Sequence, residues 1–427
     1  MAGMRIVNEK TAARPCVLYL NTAEGDRIQA TTLAGIRRYT DALGWEAEAV
    51  PWHKSHLKDI APLLKARRPV VGCVVECSDG NSHLPPRLFG KLPVVYLHAA
   101  PSLYGGRVAR VAADNEAVAR AAFHELSAGR PAAYAVVEAA WKLDWSEIRS
   151  RTFQALAARA GKPCHVFAFQ EESDEERNAR LSGWVAELPS KCAIFAVNDF
   201  TAGIVVHAAR AAHRSIPREL TLLGVDNDVA ICETSAPPIS SIQIDHERAG
   251  FAAARIIGEK VSHGDTETRR NDCQIHQFSI IDTNQNANLR VSVPPCDPKT
   301  ISIAPLLAVR RRSTGGSGRR EKFILEAVEI IRRAACDGLT ASDLLSRFKC
   351  SRSLFNLRFR EATGHSVLDE IQHVRLEKAL ALLSGTDIAI GAIADFCGFG
   401  SGVELRHLFR ARMKMSLREW RKRNARK

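Results

Sequence analysis

LTASDLLSRFKCSRSLFNLRFREATG (residues 339–364) and IAIGAIADFCGFGSGVELRHLFRARM (residues 388–413) are two copies of one pattern. In each, a short amphipathic stretch leads through a tight turn and a serine N-cap to a second helix. Apolar residues four apart then bury one face of that helix: Phe355 with Phe359, and Leu405 with Phe409. In a helix-turn-helix motif the opposite face enters the DNA major groove. The pattern predicts helix-turn-helix motifs at 340–361 and 389–412, and double-stranded DNA as a partner.

The positive charge of the chain is concentrated in the same region. The sequence has 427 residues and a formal net charge of +13. Residues 310–427 hold 25 Lys and Arg against 13 Asp and Glu, whereas residues 1–309 hold 35 against 34. A basic excess confined to one segment is expected where that segment alone meets DNA phosphates.

Short apolar runs alternate with amphipathic helical stretches before residue 250. Nine of these runs are candidate strands: Val17–Leu20, Glu46–Val50, Val70–Val75, Val94–Leu97, Ala133–Glu138, His165–Phe169, Ala193–Val197, Leu220–Val225 and Ile239–Ile244. This alternation predicts parallel sheets covered by helices on both faces, and its length indicates two α/β lobes. Ligands of such sheets bind beyond the carboxyl ends of the strands, in the crevice between the lobes.

Composition shifts suggest where the domains begin and end. Residues 310–320, RRRSTGGSGRR, have no apolar period and predict a flexible, charged linker after a strand-like stretch at 300–309. An all-α domain with the two helix-turn-helix motifs follows. The boundaries that we predict are 15–309 for the sensor, with lobe one at about 15–110 and 243–285 and lobe two at about 111–240, 310–320 for the linker and 321–423 for the C-terminal domain.

Other classes of protein find little support in the sequence. The 11 cysteines lack paired zinc-ligand spacing, which predicts reduced, mostly buried thiols. Neither an apolar signal core nor an apolar run near the roughly 18 residues of a membrane span is present, so we expect a cytoplasmic protein with no membrane partner. We expect no enzymatic activity, cofactor or metal, because phosphate loops, nucleophile elbows and His/Cys clusters are missing.

The C-terminal block resembles the DNA-binding domain of the AraC/XylS family of transcription regulators. The resemblance covers about residues 320–423 and rests on the paired motifs, on IADFCGFGS (393–401) and on the closing residues from Leu408 to Arg421. The preceding region is similar to the sugar-sensing domain of LacI-type repressors, which is related to periplasmic binding proteins. The residues that carry this second resemblance are VAADN (111–115), RSRTF (149–153), AVNDF (196–200), LGVDN (223–227) and PPISSI (237–242).

The two resemblances imply a periplasmic-binding-protein-like α/β sensor with two lobes that controls an all-α DNA-binding domain. They imply a small sugar bound between the lobes, a pentose such as xylose before others, and activation of transcription by a homodimer that contacts RNA polymerase. Two alternatives stay open. In the first alternative, the sensor binds a metabolite that is not a sugar. In the second, the N-terminal region serves only to dimerise a constitutive DNA-binding protein. A third reading, an α/β enzyme regulated by its own DNA-binding domain, has no motif in its favour.

The resemblance and the helical wheel together assign the DNA-facing residues. Expected to face bases are Ser353, Asn356 and Leu357 in the first motif, and Gly402, Val403, Arg406 and His407 in the second; Arg352 lies on the same exposed side, and Arg358, Arg360, Arg410 and Arg412 are expected on phosphates. Leu357 stands where Arg or Lys is more usual in the family. A leucine can contact a thymine methyl group but cannot make the bidentate contact to guanine. The alternative is that these side chains only solvate helix faces.

Ligand residues are expected mainly in lobe two. By family match these are Arg149, Asn198, Asp199 and Asp226, with Trp145 and Phe200 as aromatic covers of the sugar ring, and with Asp26, Arg27 and the Glu76–Asn81 loop offered by lobe one. Carboxylate, amide and guanidinium groups suit adjacent sugar hydroxyls, which both donate and accept hydrogen bonds. Each of these residues also has a structural alternative. Asp226 would cap the following turn, Arg149 would pair with Glu147 or Asp144 on a helix surface, and Trp145 would pack in the core.

The residues at three helix ends carry predictions about how those helices begin or end. Asp114 is expected to cap the helix that begins at Asn115. Ala389 stands where an N-cap serine or aspartate is usual, at a cost of about 1 kcal/mol. Lys414 stands where glycine commonly follows the last recognition helix.

Overall fold

The computed structural model describes residues 13–21, 27–52, 57–66, 69–77, 84–100, 104, 108–140, 143–170, 172–263, 300–316, 319–348 and 350–424. Its strands are β1 (Cys16–Asn21), β2 (Glu46–Pro51), β3 (Val70–Glu76), β4 (Val94–Leu97), β5 (Ala109–Ala113), β6 (Ala133–Val137), β7 (Cys164–Phe167), β8 (Cys192–Ala196), β9 (Leu220–Val225), β10 (Ser240–Gln243), β11 (Thr300–Ile303) and β12 (Leu307–Val309). Within these ranges, no helix combines the length and apolarity needed to span a bilayer.

Helices separate most of the strands and make up the C-terminal region. They are α1 (Arg27–Ala42), α2 (Leu57–Ala66), α3 (Asn115–Ser127), α4 (Asp144–Arg159), α5 (Asp174–Glu187), α6 (Asp199–Ala211), α7 (Val229–Thr234), α8 (His246–His263), α9 (Arg319–Ala334), α10 (Ala341–Ser346), α11 (Arg352–Thr363), α12 (Val367–Gly385), α13 (Ile390–Phe396), α14 (Gly402–Met413) and α15 (Leu417–Asn424). Asp114 caps α3 as expected, because its Oδ1 accepts a hydrogen bond from the Ala117 N–H at 2.8 Å.

The strands form two six-stranded sheets, one in each lobe. The sheet of lobe one has the order β11-β5-β4-β3-β1-β2 and is parallel throughout. The sheet of lobe two has the order β12-β10-β9-β8-β6-β7 and is parallel except for β12, which runs antiparallel to β10. All nine candidate strands are present, and the expected two-lobed α/β architecture followed by an all-α domain is confirmed.

Two glycines let helices α1 and α8 of lobe one pack in direct backbone contact. A Cβ atom on Gly35 would lie 1.8 Å from the carbonyl oxygen of Glu247, and one on Gly250 would lie 2.1 Å from that of Thr32. No larger residue fits at either position without moving a helix. This close crossing fixes the first turn of α8 against the middle of α1.

The segment before the C-terminal domain differs from the sequence expectation in two ways. Residues 300–309 form two strands rather than one, because β11 joins the sheet of lobe one and β12 joins that of lobe two. Strand β5 also belongs to lobe one, so the chain crosses into lobe two after residue 113 rather than at about 111.

The first half of the expected linker is packed against lobe two. Arg311 is buried, and its guanidinium donates hydrogen bonds to the Asn227 Oδ1 at 2.7 Å and to the Ile239 carbonyl oxygen at 3.0 Å. Ser313 is buried as well, and Arg310 forms an ion pair with Glu125 at 2.6 Å. Arginines that looked solvated in the sequence therefore have partners far away along the chain.

The C-terminal domain contains the two expected helix-turn-helix units, α10–α11 and α13–α14. The apolar pairs of the second helices are buried as the four-residue spacing predicts: Phe355 with Phe359, and Leu405 with Phe409. Helix α12 joins the units and begins with a capping box between Ser366 and Asp369. Its many buried side chains contribute to the cores of both units, which fixes the separation of the two units.

Candidate ligand cleft and DNA-binding surface

Arg149 is the buried cation of lobe two. It lies on α4, where its Nε donates to the Asn115 Oδ1 at 2.9 Å and its Nη1 donates to the Val197 carbonyl oxygen at 2.6 Å. The guanidinium carbon is 4.8 Å from the ring centroid of Trp145, within the range of a cation–π contact. Burial lowers the pKa of Arg149, while the carboxyl groups of Asp226 and Asp199 oppose that decrease.

The structure distinguishes between the roles that the sequence allows for Arg149 and Trp145. Arg149 does not lie on the helix surface, since it is buried, and it is the exposed Arg151 that pairs with Glu147. Trp145 is half-buried, and its ring packs against the buried core cluster of lobe two as well as against the Arg149 guanidinium. The cation and the indole thus form one unit on α4.

Asp199 and Asp226 follow adjacent strands of the lobe-two sheet, β8 and β9. Asp199 is buried, and its Oδ2 accepts a hydrogen bond from the Asp228 N–H at 2.7 Å. Gly224 makes room for this carboxyl group, because a Cβ there would lie 2.2 Å from the Asp199 Oδ1. Burial raises the pKa of Asp199 to about 8, and the nearby Asp226 carboxylate adds to the rise. Asp199 therefore holds a proton near neutral pH and can donate a hydrogen bond.

Asp226 directly follows β9, and its backbone N–H still donates a hydrogen bond to the Ile242 carbonyl oxygen of β10 at 2.8 Å. Asp226 and Asn227 have φ angles of 102° and 53°, an uncommon conformation for two consecutive non-glycine residues. The Asn227 amide is held on both sides, since its Nδ2 donates to the Gln243 Oε1 at 2.8 Å and its Oδ1 accepts from Arg311. Asn198, by contrast, is the N-cap of α6, and its Oδ1 accepts from the Thr201 N–H at 2.8 Å.

Two histidines that the sequence did not single out lie opposite this group. His98 follows β4, and His246 follows β10 as the first residue of α8 in lobe one; their ring centroids are 5.6 Å apart. Burial lowers the pKa of His246 well below its ordinary value, and His98 and Arg149 add to the decrease. In the described part of the chain, no group hydrogen-bonds either ring nitrogen of His246 or the Nε2 of His98. Their positions just after strand ends were the available signal, but only the fold brings them together.

The other ligand candidates are placed differently. Phe200 is 51% exposed at the start of α6, and Arg27 is exposed at the start of α1. Glu76 is buried and accepts a hydrogen bond from the Tyr19 hydroxyl at 2.7 Å, so that carboxylate already has a structural partner. Asp26 lies outside the described residues, as do residues 78–83 of the expected loop.

Both recognition helices keep their predicted outer faces in solvent. On α11 the exposed side chains are those of Arg352, Ser353, Leu357 and Arg360, with Asn356 and Arg358 half-buried; on α14 they are those of Val403, Arg406, His407, Arg410 and Arg412, with Gly402 half-buried at the helix start. Leu357 is 55% exposed and Val403 is 51% exposed, so both apolar side chains lie on the solvent side of their helices. Two apolar side chains are thus offered to a partner together with the arginines.

The ends of the two helix-turn-helix units are built differently. In the first unit, Thr340 and Asp343 form a capping box and Gly364 ends α11 in the left-handed conformation. In the second unit, Ala389 provides no side-chain cap, and Lys414 ends α14 with a φ angle of 55°. The sequence departures at both positions are therefore real geometric differences between the units.

Comparison with protein families gives matches for the two parts of the chain. The periplasmic binding protein-like domain matches residues 121–275, and a helix-turn-helix domain matches residues 344–423. With the fold and the exposed recognition helices, these matches indicate a DNA-binding regulator in which a periplasmic binding protein-like domain precedes a helix-turn-helix domain.

Individual relatives match about two thirds of the chain. The chain is 26% identical over 297 residues to the xylose operon regulatory protein of Escherichia coli (strain K12), which covers 68% of each protein. It is 24% identical over 285 residues to the xylose operon regulatory protein of Haemophilus influenzae, covering 65% of each. Both relatives are named as regulators of the xylose operon.

Solved structures share the architecture at lower identity. A xylose-binding transcription activator matches over 97% of this chain and 100% of its own, with a TM-score of 0.51 and 21% identity. A transcriptional regulator in complex with cellobiose matches over 71% of this chain and 86% of its own, with a TM-score of 0.51 and 16% identity. At these identities the similarity supports the fold and not the ligand.

Proposed function

We propose that this chain is a cytoplasmic, sugar-responsive transcription activator that binds a pentose such as xylose between the lobes of its sensor. The convergence of Arg149 from α4 with Asp199 and Asp226, which follow β8 and β9, facing His98 and His246, carries this proposal. The group combines a cation, a carboxylate, a carboxyl that keeps its proton near neutral pH and two imidazoles with unused nitrogens. Donors and acceptors in one place suit the vicinal hydroxyls of a small sugar.

Trp145 and the relatives support the same choice of ligand. The indole backs the Arg149 guanidinium and offers an apolar surface of the kind that covers a sugar ring. The regulatory proteins that match this chain over two thirds of its length are those of the xylose operon. A pentose is therefore the first ligand to test, ahead of hexoses.

In the proposed function, the C-terminal domain binds DNA. We propose that Ser353, Asn356, Leu357, Arg406 and His407 read bases while the remaining exposed arginines hold phosphates. The protein acts on DNA as a homodimer that contacts RNA polymerase, and two chains bring four recognition helices to the operator. Sugar changes the DNA complex only to the extent that its affinity differs between the two arrangements of the protein.

A thermal-shift screen of the full chain against pentoses, hexoses, sugar acids and polyols tests the sensor. At about 100 times its dissociation constant, a true ligand adds roughly 2.7 kcal/mol of stability, which a thermal shift detects readily. Stabilisation by one pentose supports the proposal, whereas stabilisation by a sugar acid or another metabolite replaces the ligand class. A flat panel with a well-folded protein favours the constitutive DNA-binding protein whose N-terminal region only dimerises.

A further inference from the structure

Helix α9, the first helix of the DNA-binding domain, contacts both lobes of the sensor. Near its start, the Lys322 ammonium lies 2.9 Å from the Glu233 carboxylate of lobe two. Near its end, the Arg332 guanidinium lies 2.5 Å from Asp245 and 3.2 Å from Glu247, at the start of lobe-one helix α8. Ten residues of α-helix, about 15 Å, separate the two contacts. The helix therefore spans from one lobe to the other.

The lobe-two end of α9 is held by apolar packing. Leu307 and Val309 of strand β12 lie in the same buried cluster as Ile324 and Val328 of α9 and Phe359 of α11. Strand β12 is at the same time a member of the lobe-two sheet, paired with β10. The first helix-turn-helix unit therefore shares an apolar core with a strand of the lobe-two sheet.

The lobe-one end is held mainly by buried charge. Arg332, Asp245 and Glu247, here called the Arg332 clasp, leave only 11%, 2% and 17% of their side chains exposed. Burial tends to lower the pKa of Arg332, but the surrounding carboxylates outweigh burial and raise that pKa above its ordinary value. The clasp continues through Arg38 of α1, which lies 3.1 Å from Glu247 and 2.8 Å from Glu377 of α12.

The clasp is directly connected to the ligand cleft. His246, whose ring faces His98 and whose pKa is affected by Arg149, stands between Asp245 and Glu247 in the sequence. Asp245 also caps α8, since its Oδ1 accepts a hydrogen bond from the Arg248 N–H at 3.0 Å. A displacement of this turn in the cleft therefore moves both carboxylates that hold Arg332.

Helix α12 of the same domain also packs on lobe one, since Ala381 belongs to the buried lobe-one cluster. We propose that α9 is a strut between the lobes, and that the Arg332 clasp is the contact of α9 through which the cleft acts on the DNA-binding domain. When the lobes move relative to each other, the apolar end of α9 follows lobe two and the clasp must shift or open. Helix α12, which carries Glu377 and joins the two helix-turn-helix units, then changes its position relative to lobe one. Because the recognition faces stay exposed while the clasp is formed, the clasp controls the position of the units and does not cover them. Arg332 is a positioning residue in this scheme, which rests on the proposed function.

The test measures how a sugar found in the thermal-shift screen changes the affinity of the full chain for DNA selected from a random pool. The coupling factor is the ratio of the DNA dissociation constants without and with sugar. For wild type we expect a factor of about 5 to 150. For Arg332→Met it should fall below 2, while the dissociation constant for sugar changes less than threefold. Arg332→Lys, which keeps the charge but not the forked geometry, should retain part of the coupling.

Matched variants separate this role from a general loss of structure. Arg333→Met, the same change at the exposed neighbouring position, should leave the coupling factor within twofold of wild type. The combined variant Asp245→Asn, Glu247→Gln and Arg332→Met leaves no buried charge unpaired in the clasp, so it should fold and still lack coupling. Normal coupling in that folded variant overturns the strut while leaving the proposed function intact. A wild type that binds sugar and DNA with no coupling overturns both.

Discussion

The sensor cleft and the recognition surface use charged side chains in opposite ways. In the cleft, Arg149 and Asp199 are buried, and each has a pKa shifted by burial. On the recognition helices, Arg406 and Arg410 are exposed and ready to meet a polyanion. Buried charges are expensive to leave unpaired, so they select one geometry, whereas exposed charges cost little and mainly set affinity. The chain thus has a buried ligand cleft that fixes one geometry and an exposed recognition surface that can adapt to its partner.

The largest difference in stability between the two regions is expected when the buried cation Arg149 is removed. Arg149→Met leaves the Asn115 Oδ1 and the Val197 carbonyl oxygen without their donor and removes the positive charge near Asp226, so we expect it to lower the free energy of unfolding by about 3 kcal/mol. Urea unfolding of the full chain measures this loss. Arg151→Met, two residues further along α4 and on its exposed face, should change stability by less than about 0.5 kcal/mol. Equal losses in the two variants would contradict the assignment of Arg149 as the costly charge.

The buried carboxyl of Asp199 predicts a dependence of stability on pH. Burial raises its pKa to about 8 from an ordinary value of 3.8, so between about pH 4 and pH 8 the folded state holds a proton that the unfolded state has already released. The contribution of Asp199 to stability is complete below that window and is lost as the pH rises through it, at up to about 1.4 kcal/mol per unit. Asp199→Asn removes this slope, so the variant should gain on wild type between pH 5 and pH 8. Parallel stability curves for the two proteins would argue against a protonated Asp199.

On the recognition surface, the second unit should contribute more to specific DNA binding than the first. Arg406→Ala removes a potential bidentate contact to guanine, and we expect a loss of about 1–3 kcal/mol in affinity for the selected DNA. Leu357→Ala removes only an apolar contact and should cost about 1 kcal/mol or less. Fluorescence anisotropy with selected and scrambled DNA measures both. A larger effect for Leu357→Ala would reverse the proposed order of the two units.

The smallest expected effect on stability concerns Lys414, an exposed residue whose backbone conformation is unfavourable. Lys414 ends α14 with a positive φ angle, a conformation that disfavours side chains other than glycine by about 1 kcal/mol. Lys414→Gly should therefore stabilise the domain by up to about 1 kcal/mol. The reverse change in the first unit, Gly364→Lys, should destabilise by a similar amount. Thermal melts of the two variants compare the units, and a loss of stability in Lys414→Gly would mean that the lysine side chain itself matters.

The recognition surface was predictable from sequence to a degree that the cleft was not. The buried pair Phe355 and Phe359 fixes which side of α11 faces outward, because helical periodicity is a local property. Arg149, Asp199 and Asp226 were found by family match near strand ends. His98 and His246 come from segments almost 150 residues apart, and their proximity depends on the packing of lobe one.

The linker shows a second limit of local reasoning. A run of Gly, Ser and Arg is typical of mobile segments, yet Arg311 is buried because Asn227 and Ile239 offer it acceptors. Likewise, the split of residues 300–309 into β11 and β12 depends on which sheet edge is open to each strand. No local pattern encodes the availability of a distant partner.

Strand β12 has a practical consequence for anyone who cuts or recombines this protein. Its residues Leu307 and Val309 pair within the sheet of lobe two and at the same time complete the apolar core beneath α9 and α11. A truncation at the glycine-rich stretch after Arg310 would strip the DNA-binding fragment of part of its own interior. A chimera that exchanges sensors should therefore place its junction before residue 300 or carry β12 along with the C-terminal half.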